Sequence, residues 1–260
     1  MRKMSLIKTS EEIRRMKEGG RRLFQVLEEV LRQVKPGVSL TELDRLAERL
    51  IKRQEGWPSF KMVANYSWAT CINVNDGVVH GIPNDYRLKE GDLVSLDVGM
   101  FYRGRHTDVA RTLYLPTKKE ERMGKKEEFL KAGRKALEEA VKAARPGNRV
   151  GHISLAIERE IKKKRFSPIS SFTGHGVGRR LHEEPQIPCF LRGGERELAQ
   201  TPLLKPGMTL AIEVIYSQGR PDLVLDDDGW TLRTADGSWA GLFEDTVLVT
   251  KTDPVVLTSS

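Results

Sequence analysis

Cysteine is scarce in this chain. Its 260 residues include only Cys71 and Cys189, too few for a disulfide framework and suited to a reducing cytosol. Long hydrophobic runs are also missing. No stretch approaches the roughly 18 apolar residues of a membrane-spanning helix. The opening Met1-Arg2-Lys3-Met4-Ser5-Leu6 carries positive charge but lacks the apolar core of a secretory signal. The expectation is a cytoplasmic protein with no membrane partner. No Gly-x-Ser-x-Gly elbow occurs, and neither cysteine accompanies a paired histidine motif, which leaves serine or cysteine nucleophilic catalysis without support.

Acid is the minority charge, with 36 Asp and Glu against 44 Lys and Arg, a net of +8. Basic runs such as Arg14-Arg15 and Lys162-Lys163-Lys164-Arg165 stand beside glutamates on helical segments, as on solvated faces. The aromatic-basic interleaving of single-strand binders is absent. Dedicated nucleic-acid binding is therefore not expected, and the surplus charge leaves at most a transient attraction to a polyanion such as ribosomal RNA. An apolar content of 38% and a mean hydropathy of -0.45 describe a globular chain with a core, taken as a monomer.

The chain states one plan twice. Thr9 and Glu12 form a capping box ahead of an apolar stripe (Ile13, Met16, Leu23, Val26, Leu27, Val30, Val34), and Lys35-Pro36-Gly37 ends that helix. Ser39 and Glu42 open a second helix, with Leu43, Leu46 and Leu50 on one face. Later, a helix over about 126–144 ends at Arg145-Pro146-Gly147, and another runs over about 151–164. Each helix pair leads to a His-Gly segment, His80-Gly81 and then His175-Gly176. A glycine turn, a buried-type strand and one carboxylate follow: Gly91 to Asp97, and Gly207 to Glu213. This predicts an α+β fold of two pseudo-symmetric halves, roughly 1–120 and 121–260. Helices cover a mostly antiparallel sheet, and the whole forms one catalytic domain with its site where the halves meet. The joint is expected within Thr117 to Lys126.

Acids cost several kcal/mol to bury without a partner, so carboxylates at buried strands call for a reason. Leu93–Tyr102 and Arg105–Leu115 read as strands around a two-residue turn at Arg103-Gly104. In that register Asp97 lies opposite Ala110, which makes Asp108 a diagonal neighbour on the same face, about 7–8 Å away. Two like charges that close need a cation between them. Glu213 and Glu244 are expected to repeat the arrangement. With His175 they form an oxygen-rich site open to several divalent metals, with more negative charge than one ion needs. A metal-dependent hydrolase is the reading.

Several motifs carry a family resemblance. They are Asn75-Asp76-Gly77-Val78-Val79-His80-Gly81-Ile82-Pro83, Asp97 with Asp108, Gly174-His175-Gly176-Val177-Gly178, His182-Glu183-Glu184-Pro185, and Phe243-Glu244-Asp245-Thr246. Together, and in order over essentially the whole chain, they resemble type I methionine aminopeptidases. The resemblance implies the pita-bread fold. It implies two divalent ions (Co, Mn, Fe, Zn or Ni) held by Asp97, Asp108, His175, Glu213 and Glu244. It also implies removal of the initiator methionine from nascent polypeptides whose second residue is small, by a hydroxide bridging the metals. Glu213 becomes the proton shuttle, while His80 and His182 hydrogen-bond the substrate amide and the tetrahedral intermediate. Tyr66, Cys71, Leu181 and Trp230 are placed around the methionine slot. His106 and His152 lack such context and read as structural or surface residues.

Three features depart from the family. Val214 stands where many relatives have proline, Leu181 where they often have an aromatic, and the loop Leu191 to Thr201 looks long, with no functional account. Two alternatives compete: a proline-directed aminopeptidase of the same fold, whose members usually carry an extra N-terminal domain, and a non-catalytic binding module that has lost its ligands.

Overall fold

The structure, a computed structural model, describes residues 6–117 and 123–260. Five α-helices occur among these residues: α1 (Ser10–Arg32), α2 (Leu40–Arg53), α3 (Met123–Ala143), α4 (Val150–Lys163) and α5 (Gly194–Leu198). The strands are β1 (Trp57–Pro58), β2 (Thr70–Val74), β3 (Gly77–Val79), β4 (Leu93–Tyr102), β5 (Arg105–Tyr114), β6 (Ser167–Pro168), β7 (Thr173–Gly176), β8 (Glu183–Pro188), β9 (Thr209–Ser217), β10 (Leu223–Leu225), β11 (Leu232–Thr234), β12 (Ala240–Leu248) and β13 (Val255–Val256). The joint expected between the halves falls partly on residues 118–122, outside the described residues.

Both predicted capping boxes form. Thr9 and Glu12 close the start of α1, and Ser39 and Glu42 that of α2, each side chain satisfying the other residue's backbone N–H. At α4 the Arg149 N–H donates to His152 Nδ1 at 2.9 Å, so His152 serves the helix start. His106 is buried with its Nδ1 2.8 Å from Ser59 Oγ, also a structural setting. The loop at 191–201 is not structureless. It contains α5, five residues too short to show a helical period, and the Thr201 hydroxyl accepts from Gly151 N at 3.0 Å, fastening the segment to the first turn of α4.

The large sheet runs β1-β4-β5-β12-β9-β7-β8, with antiparallel pairing along this path, and a small sheet joins β10, β11 and β3. Its organising piece is the β4–β5 hairpin, which turns at Arg103 (φ 46) and Gly104 (φ 84). Positive φ at both positions is the two-residue turn whose twist matches the flanking strands. It fixes the register so that Asp97 faces Ala110, and β5 ends at Tyr114, one residue earlier than expected. Alternation then sorts the faces. Val94, Leu96, Val98 and Met100 pack with Leu23, Val26, Leu27 and Ile51 of α1 and α2. Ile212, Val214 and Tyr216 pack with Phe129, Leu137 and Ile157 of α3 and α4. The intervening Asp97 and Glu213 are thereby directed to the opposite face.

Candidate metal centre

On that face the register builds a single row. Asp97 on β4 pairs with Ala110 on β5, Ala110 with Glu244 on β12, and Glu244 with Glu213 on β9. Asp108 lies two residues before Ala110, and His175 on β7 pairs with Ala211, two residues before Glu213. Side chains two apart on a strand share a face, so four acids and one imidazole converge while the alanines between them leave space. The structure departs from expectation in one respect. Glu213 and Glu244 are not diagonal like Asp97 and Asp108 but directly opposite. No tight turn joins β9 to β12; the chain makes the β10–β11 excursion between them, and the register follows from the sheet itself.

Donor atoms of Asp108, His175 and Glu244 lie within 4.8 Å of one another, all three residues buried. His175 Nε2 stands 3.4 Å from Glu213 Oε1. Its Nδ1 sits 2.9 Å from the Gly176 carbonyl, which can only accept; Nδ1 therefore carries the proton and Nε2 presents its lone pair. Supporting bonds fix the acids from behind. The Asp108 N–H donates to Thr246 Oγ1 at 2.8 Å, and Arg111 reaches the Glu244 carbonyl and Asp245 Oδ1 at 2.5 and 2.8 Å.

The electrostatics are those of buried like charges held close together. Burial first, then the charges of Asp108 and Glu213, push Asp97 well above the carboxylate range. Glu213 is raised by burial and Asp108, and Glu244 by burial and then Asp108, Glu213 and Asp97. Burial lifts Asp108 to about 7. It also lowers His175 to about 4, with His182 adding to the effect, and this leaves a neutral ring suited to ligation. Asp97 Oδ1 and Glu244 Oε1 are buried without any hydrogen bond. Buried acceptors left unpaired among like charges are costly, and oxygen donors with one imidazole suit a hard or borderline divalent ion. These residues fit a metal.

All eleven predicted site residues line one cavity of about 900 Å³. Beside the acids it has an apolar recess in which Phe60, Tyr66, Cys71 and Leu181 form a buried cluster with Val63 and Trp230 packed against it. Tyr66 and Trp230 meet edge to face at 5.1 Å, and the Tyr66 hydroxyl donates to the Thr70 carbonyl at 2.8 Å. His80 adopts φ 58, a rare conformation for a non-glycine residue, between Phe172 and Trp230. His182 stacks edge to face on His175 at 4.5 Å. Burial lowers the pKa of both His80 and His182, and His182 adds to the shift at His80.

Sequence reasoning missed Phe60, Val63 and Phe172. Phe172 stands three residues before His175 and could have been found from that proximity. Phe60 and Val63 reach the recess through a short turn that follows β1, and no motif marks them.

Four acids and an imidazole able to hold a divalent ion, beside an apolar recess, fit one class: a metal-assisted enzyme. The family model of metallopeptidase family M24 matches residues 14–251. The chain belongs to metallopeptidase family M24. It is 37% identical over 255 residues to methionine aminopeptidase from Clostridium perfringens, covering 98% of this chain and 99% of that one. The figures against methionine aminopeptidase 1 of Bacillus subtilis are the same. The crystal structure of methionine aminopeptidase from Thermotoga maritima superposes with a TM-score of 0.91 at 38% identity, over 98% of this chain and 99% of that one. Prolidase from Pyrococcus furiosus is similar with a TM-score of 0.76 at 26% identity, but the match covers 66% of that chain against 98% of this one. The fold is the α+β pita-bread architecture that these relatives share. No helix among the described residues is long and apolar enough to cross a membrane.

Proposed function

We propose that the protein is a methionyl aminopeptidase, a metallo-exopeptidase that removes the N-terminal initiator methionine from new polypeptides whose second residue is small. The observation that carries this reading is the apolar recess of Tyr66, Cys71, Leu181 and Trp230 opening beside the four acids and His175 in one cavity. Similarity to methionine aminopeptidases, at 37% identity over 98% of this chain, supports it against the proline-directed alternative, where the match to prolidase falls to 26% identity. All five ligand positions are filled, which argues against a non-catalytic module. The domain is proposed as one catalytic unit of two matched halves, 1–120 and 121–260. The paired helices and the two glycine-turn strands support that organisation.

Asp97, Asp108, His175, Glu213 and Glu244 would hold the metal, and their summed charge supports two ions rather than one. A divalent metal held there would supply Lewis acidity toward the scissile carbonyl and toward water. Glu213 takes a proton during attack and returns it to the leaving amine. His80 and His182, held neutral, each have one ring N–H and one ring lone pair, able to accept from the substrate amide N–H and to donate to the oxyanion that develops at the carbonyl. The aromatic and thiol surfaces of the recess suit a flexible thioether. A transient contact with ribosomal RNA belongs to the same proposal and rests on the net charge of +8.

The test is kcat/KM across first-residue variants of Met-Ala-Ser. A methylene in such a recess is worth only about 1–3 kcal/mol, so norleucine remains a fair substrate while lysine and valine fail. Comparable cleavage of the Lys- or Val-initiated peptide contradicts the methionine assignment.

A further inference from the structure

His182 has an unusual mooring. Among the described residues its ring has no hydrogen-bond partner; its one defined ring contact is with His175. The position of the ring therefore depends on the turn that carries it, 178–182, which runs between β7 and β8. That turn is held from outside. Lys8 Nζ donates to Glu183 Oε2 at 2.8 Å, and both side chains are only 5% exposed. The other Glu183 oxygen accepts from Arg180 N at 3.1 Å, and Gly178 N donates to the Arg180 carbonyl at 3.0 Å. The ion pair is roofed by Gly178, where a Cβ would lie 2.6 Å from Lys8 Cε and 3.0 Å from Glu183 Oε1. Lys8 is itself anchored, its N–H donating to the Gly207 carbonyl at 2.8 Å.

Two charges withdrawn from water at this depth give little net stability over an apolar pair, so stability alone is a weak reason for them. Their geometric effect is specific. One carboxylate binds the N-terminal arm with one oxygen and closes the turn with the other, and it belongs to the residue that follows His182. We infer that Lys8 is a positioning residue for His182: through Glu183 it fixes where the ring donates its hydrogen bond in the transition state. The inference rests on the proposed catalytic role of His182. Displacing such a donor by about 1 Å costs on the order of tenfold to a hundredfold in turnover.

The test compares the parent, Glu183→Gln, and the double variant Lys8→Met with Glu183→Gln, together with His182→Ala alone and with each of those two variants combined with His182→Ala. Measured for each are kcat and KM on Met-Ala-Ser, bound Mn by mass spectrometry, and Tm. The double variant removes both charges and so leaves neither one buried alone. We expect it to bind as much Mn as the parent, to keep KM within about twofold, and to lose on the order of tenfold or more in kcat. In the His182→Ala background the same changes should cost nothing further, because the ring they position is gone. Parental kcat in the double variant, a kcat loss matching a loss of Mn, or the full loss repeated on top of His182→Ala each overturns the inference. If the double variant does not fold, Glu183→Gln alone, made in both backgrounds, is judged by the same outcomes. Should His182→Ala itself retain parental kcat, the catalytic assignment of that ring fails first, and the positioning role of Lys8 fails with it.

Discussion

Glu213 and Glu244 face each other directly across the β9–β12 pair, while Asp97 and Asp108 meet diagonally across the β4–β5 hairpin. Directly opposed residues on antiparallel strands have Cβ atoms about 4.5–5.5 Å apart, where like charges destabilise a sheet. The two arrangements share one face and one space, with His175 at its edge. The fold therefore stores electrostatic repulsion at this spot, which a divalent cation converts into attraction.

That repulsion predicts a trade-off at Asp97. Asp97→Asn keeps the shape and removes a carboxyl that burial and its acidic neighbours make costly to ionise in the metal-free fold. Metal-free Tm should rise on the order of 2–4 °C, which corresponds to about 1 kcal/mol in a chain of this size. Bound Mn and turnover should both be lost. Calorimetry in chelator together with metal analysis by mass spectrometry checks both halves; two retained ions with full turnover would refute the assignment of Asp97 as a ligand.

The two histidines that touch at 4.5 Å should part company on mutation. His175→Ala is expected to lose metal affinity. His182→Ala should retain metal and lose on the order of 10²–10⁴ in turnover, the cost of removing one transition-state donor or proton-transfer group. Equal metal loss in both variants would show that ligand and donor have been divided wrongly.

Stability without metal should depend on pH with a definite sign. Asp97, Glu213 and Glu244 are raised well above the carboxylate range and Asp108 to about 7, so the folded protein keeps protons that the unfolded chain releases. Native protein then binds more protons than unfolded, and stability falls as pH rises through the folded values. His175 and His106, both lowered to about 4, act in the opposite sense, but only below the unfolded histidine value of about 6.5. Between about pH 6.5 and 8 the carboxylates therefore decide, and Tm in chelator should fall across that window. With Mn present the fall should vanish, because metal displaces the same protons. A metal-free Tm that is flat or rises across the window contradicts this account of the cluster.

Much of this was legible because it is local. The capping boxes at Thr9 and Ser39 need only three residues of spacing. The Arg103-Gly104 turn is two residues long, so its register followed from counting and brought Asp97 and Asp108 together. The opposition of Glu213 and Glu244 was not legible, because the chain between Ser217 and Ala240 is too long for counting to set a register. The β3–β11 pairing and the Lys8–Glu183 contact are hidden for the same reason: each joins segments about 150 residues or more apart, and nothing in either segment names its partner. The apolar recess was half legible. Tyr66, Cys71, Leu181 and Trp230 came from motif matching, but Phe60 and Val63 sit on a turn whose sequence reads as ordinary connection.

The most direct measurement is hydrolysis of Met-Ala-Ser against Ala-Pro-Ala by the protein stripped of metal and then resupplied with Mn or Co. The account predicts that the stripped protein is inactive, that metal restores release of methionine from Met-Ala-Ser, and that Ala-Pro-Ala is left intact. Preferential cleavage of Ala-Pro-Ala, or release of methionine that persists in chelator, would contradict it.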